Sequence, residues 1–143
     1  MAIEFFVPGV PQGKARPRFT RNGHTYTPQK TKDYENLIKQ CCLNELNKYG
    51  YDKYSGAIWV DIQAFFPIPK SVTESQAEYM KRGCIVPLKK PDVDNIAKVV
   101  LDALNGVAYN DDKQVQRVTC SKYYENYQVG EPCLYVCIGI QGK

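Results

Sequence analysis

Residues 94–105 restrict the fold of this chain more than any other segment. At about 100° per residue, a helix starting at Asp94 places Lys98 about 40°, Asp102 about 80° and Asn105 about 20° away. Val99, Val100, Ala103, Leu104 and Val107 fall between roughly 140° and 280° on the same wheel. One stripe must therefore lie on a core while the other stays free, and Asn105-Gly106 supplies the C-terminal stop. The plainest explanation of the polar stripe is a surface helix with an aspartate cap and an i,i+4 Asp–Lys pair.

The remaining segments supply a partner for that apolar stripe. Residues 57–66 alternate Ile58, Val60, Ile62, Ala64 and Phe66 on one face, which predicts a strand ended by Pro67 and Pro69. Residues 3–7, 114–124 and 132–140 also read as strands, the last two joined by a polar loop. A hairpin is expected over residues 19–27, with Asn22-Gly23 as a two-residue turn. Tyr34, Leu37, Ile38, Cys41 and Leu46 recur at helical spacing, so residues 32–49 should form a helix stopped by Gly50. Ser71 and Glu74 suggest a capping box opening a short helix to about Arg82. Strands and about three helices alternate without a regular β-α-β repeat, which predicts an α+β fold.

At 143 residues and 16.3 kDa, the chain should expose about 7,500 Å² when folded as one compact domain over residues 1–143. Its hydrophobic fraction of 43% excludes disorder as the main state. The longest apolar runs, such as residues 64–69, fall far short of the roughly 18 residues a membrane span needs, and no signal-like leader opens the chain. A cytoplasmic protein without membrane association is expected. The six cysteines form no C-x-x-C pair and are expected to be reduced thiols.

Charge is distributed unevenly. Residues 10–32 hold six basic side chains (Lys14, Arg16, Arg18, Arg21, Lys30 and Lys32) and no acidic one. Lys81, Arg82, Lys89 and Lys90 add a second basic cluster, whereas residues 91–112 hold five aspartates against one lysine. Such a layout suits a protein that grips phosphates around a metal ion. Pro91-Asp92-Val93-Asp94 is expected to be extended, so that alternate side chains turn both carboxylates toward one point, and Asp111-Asp112 follows beyond the helix. Converging carboxylates repel unless a cation compensates, and hard divalent ions such as Mg²⁺ or Mn²⁺ prefer those oxygens. Bound there, an ion activates water and neutralises charge on a phosphodiester, with Lys98 adding a fixed positive charge.

Other chemistries fail on detail. The calcium-loop pattern starting at Asp92 has Ala97 where glycine is needed and Ala103 where glutamate is needed. Neither a P-loop nor a G-x-G-x-x-G is present, and a triad would have to use His24, the sole histidine. Two alternatives stay open on the residues alone: a basic DNA-binding module whose aspartates only cap a helix, and a phosphoryl or nucleotidyl transfer enzyme using D-x-D.

Three stretches together resemble the RusA-type Holliday junction resolvases: Lys90-Pro-Asp-Val-Asp-Asn-Ile-Ala-Lys98, Leu101-Asp-Ala-Leu-Asn-Gly-Val107 and Tyr109-Asn-Asp-Asp-Lys-Gln-Val115. Gly9-Val-Pro-Gln-Gly-Lys-Ala-Arg-Pro-Arg18 is similar to that family's basic leader. The resemblance implies a homodimeric, magnesium-dependent endonuclease that nicks four-way DNA junctions symmetrically in recombination and repair. It implies Asp92, Asp94 and Asp112 as metal ligands and catalytic residues, with Asp111 as the alternative third ligand, and Lys98 as the catalytic lysine. Lys14, Arg16, Arg18, Arg21, Lys89, Lys90 and Lys122 are the expected DNA contacts. Twelve helical residues carry the chain about 18 Å away from Asp94, and the six residues 106–111 span at most about 20 Å. A third aspartate can rejoin the first two only by a nearly straight return, by an early helix end, or from a second subunit. For the dimer, the 133–140 strand with Leu134, Val136 and Ile138 is the expected shared face.

Overall fold

The computed structural model describes residues 2–140. It is a single α+β domain built on a mixed four-stranded sheet. β1 (Ala2–Pro8), β4 (Ile58–Phe66), β5 (Val115–Tyr124) and β6 (Cys133–Ile140) form that sheet, and β2 (Arg18–Phe19) with β3 (Thr25–Tyr26) forms a separate hairpin. The helices are α1 (Gln29–Tyr49), α2 (Glu74–Lys81) and α3 (Val93–Leu104). Strand order is β1-β6-β4-β5, antiparallel except for the parallel β4–β5 pair. The two strands expected at the end of the chain are therefore not neighbours, because β4 lies between them. Parallel β4 and β5 need a crossover, and α2 and α3 lie within it.

Period-two alternation puts one face of each strand inward. Ile58, Val60, Ile62, Ala64 and Phe66 of β4 join Leu134, Val136 and Ile138 of β6 and Ile3, Phe5 and Val7 of β1. Against them lie Ile96, Val99, Val100, Ala103 and Leu104 of α3, the stripe marked out by sequence, and Tyr34, Ile38, Cys42 and Leu46 of α1. Leu134, Val136 and Ile138 are fully buried in this core. They cannot form a face shared with a second subunit, which corrects that expectation: β6 is a central strand whose apolar side is already taken by the helices.

The outer sheet face is polar and aromatic. Phe6 packs on Tyr135, Phe65 stacks on Tyr123, and Arg117 lies over the Trp59 ring. Trp59 in turn crosses Gly139, where a Cβ would come within 2.3 Å of the indole. Glycine is required there for close approach.

Several boundaries differ from expectation for local reasons. α1 begins at Gln29, three residues early, since Pro28 at the N-cap accepts from the amides of Thr31 and Lys32. Its buried stripe advances by fours, so Cys42 rather than Cys41 faces the core and Leu37 is exposed. The capping box of α2 is Thr73 with Gln76, the same motif two residues later, because residues 69–72 are used in a turn. In the hairpin, Thr20 N–H donates to the His24 carbonyl and Gly23 N–H to that of Thr20. The loop is thus three residues long, with left-handed Gly23 closing it, and not a two-residue turn.

Candidate functional site

α3 starts at Val93, so Asp92 and Asp94 occupy the N-cap and the second helical position and not alternate places on an extended segment. Asp92 has cap backbone geometry, yet its carboxylate makes no capping hydrogen bond. Asp92, Asp94 and Lys98 are all exposed. Among the described residues the ion pairs are Lys14–Glu35, Lys14–Asp102 and Arg82–Glu78. The i,i+4 pair between Asp94 and Lys98 is therefore not made, and neither use assigned by the plain surface-helix explanation is realised. Three charges at the start of α3 stay uncommitted.

Beside them lies a cleft of about 970 Å³ between the basic leader and the start of α3, lined by Gln12, Lys14, Arg16, Arg18, Lys30, Lys90, Asp92 and Asn95 among others. Its leader wall is held by backbone contact. Lys14 N–H donates to the Asn95 carbonyl at 2.9 Å, and a Cβ on Gly13 would come within 2.8 Å of Pro91 Cβ. The opposite wall is braced from β5, where Lys122 Nζ donates to the Lys89 carbonyl at 2.7 Å.

The expected DNA-contact residues thus divide. Arg16, Arg18 and Lys90 line the cleft, Lys89 is exposed beside it, and Arg21 sits at the exposed hairpin tip. Lys122 gives one of its three N–H donors to the Lys89 carbonyl. Lys14 turns inward, 3.1 Å from Glu35 Oε1 and 3.2 Å from Asp102 Oδ2. Burial pulls its ammonium pKa down, but hydrogen bonds and charge from Glu35 and Asp102 outweigh that and leave it above the ordinary lysine value. Sequence reasoning missed Glu35, because nothing along the chain marks a residue of α1 as the partner of a leader lysine.

Asp111 and Asp112 occupy different settings. Asp111 caps a 3-10 turn over Asp112–Gln114 by accepting from Lys113 N–H. Asp112 Oδ1 lies 3.2 Å from the Tyr109 hydroxyl, which also donates to the Leu101 carbonyl at 2.8 Å. Burial and the Asp112 charge push that phenol well above its ordinary pKa. After α3 the chain does not run straight back. It folds at once, with Val107 and Ala108 amides on the Leu104 carbonyl, and buries Ala108 and Tyr109. Asp112 is thereby held near Leu101, about 10 Å along the helix from Asp94. Among the described residues no group of three or more His, Cys, Asp or Glu side chains is arranged to hold a metal ion.

The residues with uncommitted carboxylates that could hold a divalent ion are Asp92 and Asp94 at the start of α3. Mg²⁺ commonly takes one or two carboxylates and completes its shell with water and substrate phosphate oxygens. Asp92 lines the cleft, and Asp94 follows it two residues along the chain.

The sequence model of the family described as Endodeoxyribonuclease RusA matches residues 8–131, which include the leader, the whole cleft and α3. The chain is also 36% identical over 127 residues to a Bacillus subtilis (strain 168) protein described as "Uncharacterized protein YqaN", covering 85% of this chain and 87% of that one.

Proposed function

This chain belongs to the RusA endodeoxyribonuclease family, and from that premise we propose that it is a metal-dependent endonuclease that resolves four-way DNA junctions by paired symmetric nicks. The observation that carries the proposal is the uncommitted trio of Asp92, Asp94 and Lys98, facing solvent beside a cleft whose other wall is arginine-rich.

Each group has work suited to its place. Arg16 and Arg18 take backbone phosphates by charge-assisted hydrogen bonds and hold the strand in register. Lys90 adds positive charge where the leader meets α3. Asp92 and Asp94 hold Mg²⁺, or Mn²⁺ in its place, with Asp112 as the third acidic group of the set and Asp111 as its alternative. An ion held there would supply a water of lowered pKa and positive charge opposite the scissile phosphate. Lys98, one turn beyond Asp94, stabilises negative charge as it builds on the phosphate oxygens.

Two nicks call for two sites, and the acidic residues here suffice for one metal centre, so the active unit is a two-fold homodimer. With the β6 apolar face buried, the remaining broad surface is the outer sheet face that α1 and α3 leave uncovered. The molecule exposes 9071 Å², above the roughly 7,500 Å² of a compact monomer of its mass. That excess fits a chain with a projecting hairpin and an uncovered sheet face.

A labelled synthetic four-way junction, incubated with and without Mg²⁺, tests the activity. Symmetric paired nicks dependent on Mg²⁺ are expected; binding without cleavage under either Mg²⁺ or Mn²⁺ would leave a DNA-binding module. Mixing wild-type chains with Asp92→Asn chains tests the dimer. Mixed dimers should convert a supercoiled cruciform plasmid to nicked circles, and full linearisation by the mixed species would exclude the two-site scheme.

A further inference from the structure

Nine residues of the leader, 9–17, contain no helix or strand, yet their path beside α3 sets where Arg16 and Arg18 stand relative to Asp92. An irregular segment keeps one path only if specific contacts offset its conformational entropy. Gly13 lies against Pro91 and Asn95, and the next residue, Lys14, borders the cleft with its ammonium turned between Glu35 of α1 and Asp102 of α3. There its ammonium meets both Glu35 oxygens, at 3.1 and 3.2 Å, and Asp102 Oδ2 at 3.2 Å. The side chains of Lys14 and Glu35 are only 17% and 14% exposed.

We propose that Lys14 is a positioning residue for DNA binding: clamped by Glu35 and Asp102, it fixes the leader on α3 so that Arg16 and Arg18 face the strand held at Asp92. This rests on the reading of the cleft as a DNA site. Lys14 itself makes no phosphate contact. Leaving the clamp would strand two partly buried carboxylates without their cation, whereas Arg16 and Arg18 already stand exposed. Glu35, a carboxylate on a DNA-binding protein, thus favours DNA binding through the lysine it holds.

Glu35→Gln separates this role from direct contact, because the two predict opposite signs. If Lys14 met phosphate, removing the competing Glu35 charge would leave junction affinity unchanged or raise it. The clamp predicts weaker binding, roughly tenfold, since loosening the leader misplaces both arginines. It also predicts that adding Lys14→Met to Glu35→Gln causes little further loss, the two acting through one contact. Limited trypsin digestion gives a second readout independent of DNA: well below the Tm of each variant, cutting after Arg18 should be several-fold faster in Glu35→Gln, and Lys14→Arg should restore most of the protection lost in Lys14→Met.

Wild-type binding with equal or tighter binding by Glu35→Gln would overturn the clamp alone, even if trypsin cut faster. Failure of the wild-type protein to bind the junction would overturn the proposed function, with the trypsin result still reporting whether the leader is anchored by Lys14.

Discussion

The two ends of α3 carry the same kinds of side chain and use them in opposite ways. At its start, Asp92, Asp94 and Lys98 are exposed and make no ion pair among the described residues. Toward its end, Asp102 is tied to Lys14, and Asp112 is held on Tyr109 beside Leu101. A partly buried carboxylate such as Asp102 needs a partner, because desolvation penalises the unpaired charged form, whereas Asp112 is exposed and is placed by the Tyr109 hydroxyl. Solvated ones need none, and remain available to an incoming ion or phosphate. On α3 itself the difference separates construction from chemistry: Asp102 ties the helix to the leader, while Asp94 stays open.

The sharpest way to break that contrast is at its exposed end. Asp92→Asn and Asp94→Asn should each reduce junction cleavage by at least about a hundredfold, while binding holds or tightens because negative charge facing phosphate is removed. Stability should stay within about 0.5 kcal/mol of wild type, as for exposed sites without a partner. Joint loss of binding and of Tm in both variants would instead place these residues in the fold. Asp112→Asn sharpens the comparison, since its carboxylate is the one expected in the catalytic set yet held at the far end. Cleavage should fall as it does for Asp94→Asn. Retained cleavage with a lowered Tm would group Asp112 with Asp102.

Separating the leader from α3 should have the next largest effect. Gly13→Ala puts a Cβ at 2.8 Å from Pro91 and 3.0 Å from Asn95, so the leader must lift, and affinity should drop by about tenfold. Wild-type affinity would mean that the seat of the leader does not matter. Arg16→Ala with Arg18→Ala should lower the slope of log affinity against log salt by about one to two, at roughly 0.9 per phosphate contact. A slope identical to wild type would remove both arginines from the interface.

The smallest effect belongs to the paired end. Asp102→Asn should cost about 0.5 kcal/mol of stability, discounted for its 34% exposure, and should slow cleavage far less than Asp94→Asn. A cleavage defect as large as that of Asp94→Asn would erase the distinction between the two ends.

The sequence by itself determined α3, its apolar stripe, the alternating strands and the acidic and basic clusters. These follow from periods of 3.6 and 2 and from local charge, which short windows of chain carry in full. Tertiary structure decided the strand order, with β4 between β5 and β6, because pairing depends on how distant strands cover one core. It also decided which charges are free. Lys14 and Arg16 look alike in the leader, but one meets Glu35, 21 residues away along the chain, while the other faces the cleft. Asp94 and Asp112 look equally acidic, but the fold buries Tyr109 and thereby tethers Asp112 by Leu101. Whether a charge is committed or available depends on which partner the folded chain brings within a few ångströms, and no local pattern encodes that distance.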